Sequence, residues 1–232
     1  MIQAIHKLVT FEDFAAWRTE GGRYKLHDGV IVEMAQPVVD HEDVVGFLAL
    51  NISIEIGRQK LPYFIPKTVL VKPFENESAY SPDILIINRP NLLNEPLWKK
   101  ESTVSQAASI PLVIEVVSQC VARVHRVEAT DEPVRVSTNW RDDYYKKLAD
   151  YVREASRREA IGIPEYWIID YAAYGARKFI GNPKLPTISI YLLIDGEYQV
   201  TQFKGDTHIV SPTFPELNLT AEQIFQAGGV QI

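Results

Sequence analysis

The chain has 232 residues and 46% hydrophobic composition, enough to bury a core without a metal or disulfide staple. Its single cysteine, Cys120, excludes an internal disulfide and every zinc cluster built on paired cysteines. With 24 basic against 30 acidic residues the net charge is −6, which argues against a non-specific nucleic-acid coat but leaves acidic residues free to hold a divalent cation. No apolar run approaches the ~20 residues of a membrane span, and the start, MIQAIHKLVTFEDF, is no signal peptide, so the expectation is a soluble, cytoplasmic, single-unit protein.

Thr10 and Asp13 give a capping-box-like start to a short helix through Trp17. Tyr24–His27 and Val30–Met34 flank Asp28-Gly29, a hairpin signal. Asp40 is placed to N-cap a helix from His41 to about Lys60, with Val44, Val45, Leu48, Ile52 and Ile56 at helical spacing. Three strands are expected next, over Tyr63–Lys72, Ala79–Asn88 and Ile110–Ser118. The last two read ILII and PLVIEVV, the continuous apolar pattern of strands covered on both faces. The stretch Gln119–Val136 is polar and weakly patterned, and reads as an excursion or loop.

A second long helix is expected from about Asn139 to Ala160, with Trp140, Tyr144, Leu148, Val152 and Ala155 forming an apolar stripe. Gly162 and Pro164 end it, and Glu165–Asp170 reads as a strand. A hairpin, Thr187–Ile194 and Glu197–Phe203, turns at Asp195-Gly196, and a last short helix begins near Thr220. The sum is an α/β (α+β) chain: a mixed sheet flanked by helices, with an N-terminal and a C-terminal hairpin.

Phosphate-loop, dinucleotide, HExxH and GxSxG signatures are absent, and the five histidines are scattered and carry no assigned chemistry. What remains is acidic. Asp83 follows Pro82 and opens ILII, while Glu115 interrupts PLVI-E-VVS. A carboxylate in an apolar strand must be paired, hydrogen-bonded or metal-bound, because burying it alone costs several kcal/mol. Two such strands side by side bring two carboxylates together, and hard oxygen ligands select Mg²⁺ or Mn²⁺. The structural alternative is an Asx-type turn at Asp83 and a basic partner for Glu115. Lys147, one turn after Asp143 and beside Tyr144 and Leu148, is placed to reach such a site; its alternative is a surface pair with Asp143. From Lys146 to Arg158, five basic residues (Lys146, Lys147, Arg153, Arg157, Arg158) face two acidic ones, a local +3 that reads either as a solvated helix face or as nucleic-acid contacts through Lys146, Arg153 and Arg157.

The order Pro82-Asp83, Glu115-x-Val117, Asp143-xxx-Lys147-xxx-Tyr151 and Gly162-Ile-Pro-Glu-Tyr-Trp-Ile-Ile-Asp170 resembles the Uma family of restriction endonucleases, abundant in cyanobacteria. The likeness runs from the Tyr24–Met34 hairpin and His41 to SPTFPELNLT. It implies a single restriction-endonuclease-like domain with a PD-(D/E)xK nuclease core, acting on DNA with Mg²⁺ or Mn²⁺. Asp83 matches the aspartate of the Pro-Asp motif and Glu115 the acidic residue of (D/E)xK, with the Val116 carbonyl as a further metal ligand. Val117 stands where that motif has lysine, and Lys147 matches a lysine moved to the next helix. Tyr151 is expected to pack or to orient. Relatives usually carry an acidic residue where this chain has Lys25, although Asp28 and Glu33 are close by. Residues 119–136 read as an insertion between Glu115 and Lys147.

Three classes of function compete. A metal-dependent DNA endonuclease, acting as a homodimer to cut both strands, loses cleavage with Asp83. A catalytically inactive module of the same fold binds nucleic acid or a protein partner without cutting, a reading the −6 charge and the insertion favour. A two-carboxylate glycosidase needs an aromatic cleft at Glu115, where the sequence places no tyrosine or tryptophan.

Overall fold

The computed structural model describes residues 8–18, 23–34, 36–73, 76–125, 134–152 and 161–230. Helix α1 (Phe11–Trp17) is capped by Thr10, whose hydroxyl accepts from the Asp13 amide at 3.1 Å. Strands β1 (Tyr24–His27) and β2 (Val30–Glu33) turn at Asp28 and Gly29, with φ of 47° and 74°; Asp-Gly tolerates these values at little steric cost. Helix α2 (Val39–Gln59) follows. Its N-cap is Val38, without a side-chain bond, so Asp40 is not the cap; it sits in the first turn, where a carboxylate favours the helix dipole.

The run Tyr63–Lys72 is not one strand. Pro66, which cannot donate to a ladder, separates β3 (Tyr63–Phe64) from β4 (Leu70–Val71). Pro82 similarly confines the next strand to β5 (Ile84–Asn88), leaving Ala79 and Tyr80 as single bridges to Leu26 and Val71. A short helix α3 (Trp98–Glu101), strand β6 (Thr103–Val104) and the central β7 (Leu112–Val116) come next. The stretch read as a loop, Gln119–Val136, instead contains β8 (Gln119–His125) and the start of β9 (Val134–Asn139). Its polar composition hides a ladder that forms against the free edge of β2. The long helix begins at Trp140, passes through a π-helical turn at Asp142–Lys147 and continues as α4 (Leu148–Val152); its expected continuation through 153–160 lies outside the described residues. Strand β10 (Glu165–Asp170), helix α5 (Arg177–Ile180), the hairpin β11 (Thr187–Ile194)–β12 (Glu197–Phe203) and helix α6 (Ala221–Ala227) complete the fold. Thr220 and Gln223 form a capping box on α6.

The central sheet has the order β12-β11-β10-β7-β5-β3, with β10 and β7 parallel and the other pairs antiparallel. A second, antiparallel sheet runs β1-β2-β8-β9, and β4 and β6 form a small parallel pair. Alternation along β7 splits the core. Leu112, Ile114 and Val116 pack with Val44, Leu48 and Ile52 of α2 and with Ile224 and Phe225 of α6. Val113 and Val117 face the other way, toward Tyr144, Tyr151, Tyr166 and Ile168. Glu115 shares that second face by the period of two. This mixed sheet between helical layers is the architecture expected from the strand pattern.

Leu112 is fully buried and Leu93 is 88% exposed. Leu112→Ala is expected to lower unfolding stability by about 2–5 kcal/mol through lost burial and the cavity left behind, and Leu93→Ala by no more than ~0.5 kcal/mol. Urea unfolding of the two variants side by side measures both.

Candidate active site

Register brings the two strand carboxylates together. Ile84 pairs with Ile114 across the antiparallel β5–β7 ladder, so the next position, Asp83, falls opposite Glu115. Directly opposed residues sit roughly 4.5–5.5 Å apart. Strand β5 stops at Ile84, and the Asp83 side chain takes over the ladder, its Oδ2 accepting the Val116 N–H at 2.8 Å. The Asp83 carboxylate therefore bonds across the ladder rather than closing an Asx turn, and 13% of the side chain is exposed.

Glu115 is wholly buried. Its Oε2 accepts from Lys147 Nζ at 2.7 Å, while Oε1 has no hydrogen-bond partner. Lys147 also contacts Asp143 Oδ1 at 2.9 Å. The two sequence alternatives therefore coexist: Lys147 pairs with its helix neighbour and with Glu115, but both pairs are buried. In a π-helical turn each N–H bonds five residues back, a widening found often at functional sites. Here it accompanies the burial of Asp142, Asp143, Tyr144 and Lys147 together.

Lys25 fixes the start of this helix. Its buried ammonium donates to Asp142 Oδ2 at 2.8 Å, and Lys146 meets Asp142 Oδ1 at 3.1 Å. Burial pulls the Lys25 pKa down, and repulsion from Lys147 adds to this against the pull of Asp142. One turn beyond Lys147, Asp150 accepts from the Tyr80 hydroxyl at 2.6 Å, which in turn meets His27 Nδ1 at 2.6 Å. Because the hydroxyl proton points to Asp150, His27 Nδ1 is the donor in the second contact. The β8–β9 excursion thus leaves Lys147 in place: β8 pairs with β2 beside the strand that carries Lys25.

His41 completes the site, and sequence reasoning missed it. From the buried face of α2 its Nε2 lies 3.2 Å from the Val116 carbonyl oxygen and 3.5 Å from Asp83 Oδ2, while Nδ1 faces Glu42 Oε1 at 3.4 Å. Two acceptors around Nε2 assign its proton there. The available signal was its place on the apolar stripe with Val44, Leu48 and Ile52, where a polar side chain needs a buried partner.

The electrostatics separate the two carboxylates. Burial alone would raise Asp83, but the His41 hydrogen bond and charge, the Lys147 charge and the Val116 N–H outweigh it, holding the carboxyl below its ordinary range. Burial pushes Glu115 well above its ordinary value, Asp83 and Asp143 push the same way, and Lys147 opposes them. Asp143 is likewise raised by burial, against Lys147. For Lys147 burial disfavours the charge, yet Asp143, Glu115 and Asp83 hold its pKa well above normal, so it remains an ammonium. Three carboxylates around one ammonium, with a buried orphan oxygen on Glu115, form a hard-oxygen donor set in deficit of positive charge. Among the described residues, no group of three or more His, Cys, Asp or Glu is arranged to hold a metal. Two carboxylates and the Val116 carbonyl are a smaller set, and their chemistry fits Mg²⁺ or Mn²⁺.

Other expected residues fall elsewhere. Tyr151 is fully buried between Tyr80 and Tyr166, with ring centroids at 5.7 and 5.5 Å, and packs. Lys146 is exposed and tied to Asp142. Arg153 and Arg157 lie outside the described residues. No helix among the described residues is long and apolar enough to cross a membrane.

A search of curated proteins finds no significant match. Among solved structures, the chain is similar to one described as a "putative nuclease belonging to DUF820 from Anabaena variabilis ATCC 29413", at 14% identity and a TM-score of 0.61, covering 95% of this chain and 99% of that one. That likeness shows a shared fold. A family model matches residues 11–126 and 136–222, an interruption shorter than the 119–136 read from the sequence. These segments contain Asp83, Glu115 and Lys147 and take in most of the 232 residues, so the chain belongs to the Uma2 family, described as "Putative restriction endonuclease".

Proposed function

We propose that this chain is a divalent-metal-dependent endonuclease that hydrolyses DNA phosphodiester bonds at Asp83, Glu115 and Lys147. The observation that supports the reading most directly is the cross-strand pair Asp83–Glu115, with a lysine on one oxygen of Glu115 and no partner on the other. Asp83, Glu115 and the Val116 carbonyl would hold Mg²⁺ or Mn²⁺. A bound ion of this kind polarises a phosphoryl oxygen and lowers the pKa of a water molecule.

The chain's own groups do the rest. Lys147 stays protonated, orients Glu115 and sets a fixed positive charge where negative charge grows on the phosphoryl group. His41 touches Asp83 and the Val116 carbonyl together and acts as a positioning residue for both. Lys25, through Asp142, keeps the helix that carries Lys147 against the sheet end. A site that reaches the surface only through the edge of Asp83 and is closed behind by Tyr151 and Tyr166 leaves the Asp83 side as the approach for a phosphodiester.

Plasmid cleavage tests the reading. The wild type is expected to nick DNA with Mg²⁺ or Mn²⁺ and to stop when EDTA removes the ion, and Asp83→Ala to lose about 10²-fold or more of the rate. Undiminished cleavage by Asp83→Ala would sink the proposal. A folded wild type that neither binds Mn²⁺ nor cuts would overturn it and favour the non-cleaving binding module.

Lys147 has two roles that one pair of variants separates. Lys147→Met strands a buried carboxylate and is expected to cost roughly 3–5 kcal/mol of stability. Adding Glu115→Gln removes the stranded charge, so the double variant should recover most of that loss in denaturant unfolding while remaining inactive. Recovery of cleavage together with stability would show that neither residue takes part in the chemistry.

A further inference from the structure

The helix that carries Lys147 also presents aromatic rings and cations that the proposed chemistry does not use. In a regular α-helix five residues turn through about 500°, which leaves positions five apart on different faces. The i→i+5 bonding of the π-helical turn at Asp142–Lys147 brings such positions together. Trp140 and Tyr145 accordingly lie side by side, with ring centroids 6.1 Å apart and planes inclined at 43°. Phe179 of α5 meets Tyr145 edge to face at 5.2 Å, while its own face stacks on Tyr144 at 4.5 Å. The faces of Trp140 and Tyr145 are thus not spent on stacking with one another, and Tyr145 is 42% exposed. A cation stands over each: the Arg141 guanidinium lies 4.6 Å from the Trp140 centroid and the Lys178 ammonium 4.5 Å from that of Tyr145.

This cluster stands at the same end of the sheet as Asp83 and Glu115. Strands β7 and β10 run parallel, so α5, which follows β10, lies beyond the same strand ends as the Val116 carbonyl. The loop leading into α5 is fixed there by Asp170, which accepts the Tyr174 and Gly175 N–H groups at 2.8 and 2.7 Å. Gly175 lies so close to the helix that a Cβ would stand 3.2 Å from the Tyr144 ring. Charge here is one-sided. Residues 171–186 include Arg177, Lys178 and Lys184 and no acidic residue. On the helix, Asp142 and Asp143 are buried against Lys25 and Lys147. Among the described residues neither Arg177 nor Lys178 pairs with a carboxylate. A local excess of cations in a chain of net charge −6 is complementary to an anionic ligand at this end of the molecule.

We infer that Trp140 and Tyr145 are a stacking platform for unpaired bases, with Arg141, Arg177 and Lys178 meeting the phosphates, so that the substrate is DNA carrying a single-stranded stretch. The inference deepens the endonuclease reading and rests on it for the choice of DNA as the polymer. A cation over an aromatic face holds the place that a base would take, and one nucleotide satisfies both groups. The base displaces the cation from the ring, and the phosphate receives it in a charge-assisted hydrogen bond. Bases inside a duplex already stack on their neighbours and offer only their edges, so an open ring face selects an unpaired strand. A polyanion without bases would engage the cations and gain nothing from the rings.

Fluorescence anisotropy of the full chain tests it, with EDTA present so that binding is read apart from cutting, and circular dichroism confirming that each variant is folded. A labelled single strand of roughly 20 nucleotides is expected to bind about 10-fold or more tighter than the same sequence as a blunt duplex or as an abasic strand. Tyr145→Ala should weaken the single strand by about 10-fold and the duplex by less than about twofold, and Tyr145→Phe, which keeps the ring, should bind like the wild type. Arg177→Gln with Lys178→Gln should lower the slope of log K against log salt by about 1.4, at ~0.7 for each phosphate on a single strand. A wild type with no preference for the unpaired strand overturns the inference, whether or not it cuts plasmid. So does a Tyr145→Ala variant that binds the single strand as the wild type does, or an abasic strand bound as tightly as one with bases. Selective, Tyr145-dependent binding by a wild type that cuts nothing would leave the platform standing and remove the endonuclease reading alone.

Discussion

A carboxylate with no exposed surface, set in the middle strand of the sheet, governs how the rest of this molecule is arranged. Glu115 is tolerable there because Lys147 reaches it at 2.7 Å, and removing either member alone would leave the other charge buried without compensation. That demand fixes a helix at a particular height above β7. The contacts that hold it run in three directions: to β1 through Lys25 and Asp142, to the Tyr80 bridge through Asp150, and to β10 through Tyr151 against Tyr166. The three anchors, Lys25, Tyr80 and Tyr166, come from widely separated parts of the chain. They form one scaffold because each limits where Lys147 can stand.

The same scaffold gives two neighbouring carboxylates different characters. Asp83 keeps some exposure and gains an amide N–H, a histidine and a nearby ammonium, so its ionised form is favoured. Glu115 has burial and two other carboxylates against it, with one oxygen unpaired. Opposed environments for adjacent acids are a recurring device for dividing roles within a site. A cation shared between them would relieve what Lys147 alone leaves unbalanced, because it adds charge on the side that the lysine does not touch.

What could be read in the sequence was whatever local pattern decides. ILII and PLVIEVV announce buried strands, and the acidic residues within and beside them stand out because they conflict with their surroundings. Lys147 was legible through helical phase. Asp28-Gly29 and the Thr220 capping box fixed a turn and a helix start by backbone chemistry alone. What stayed hidden depends on distant partners. His41 is defined by a carbonyl 75 residues away and Lys25 by a carboxylate 117 residues away. The β8–β9 ladder exists because β2 offers an edge, which no reading of its polar residues reveals. Pro66 and Pro82 were visible, but their power to break the strands around them was underestimated.

Helix α2 connects the sheet-end site with the molecular surface. Packing of Val44, Leu48 and Ile52 into the sheet denies α2 the freedom to roll. His41 cannot shift without disturbing the Val116 carbonyl and the Asp83 carboxylate together. The helix that closes one side of the core thus also sets the geometry of two donor oxygens. Its charge order, acidic first and basic last, serves the helix dipole.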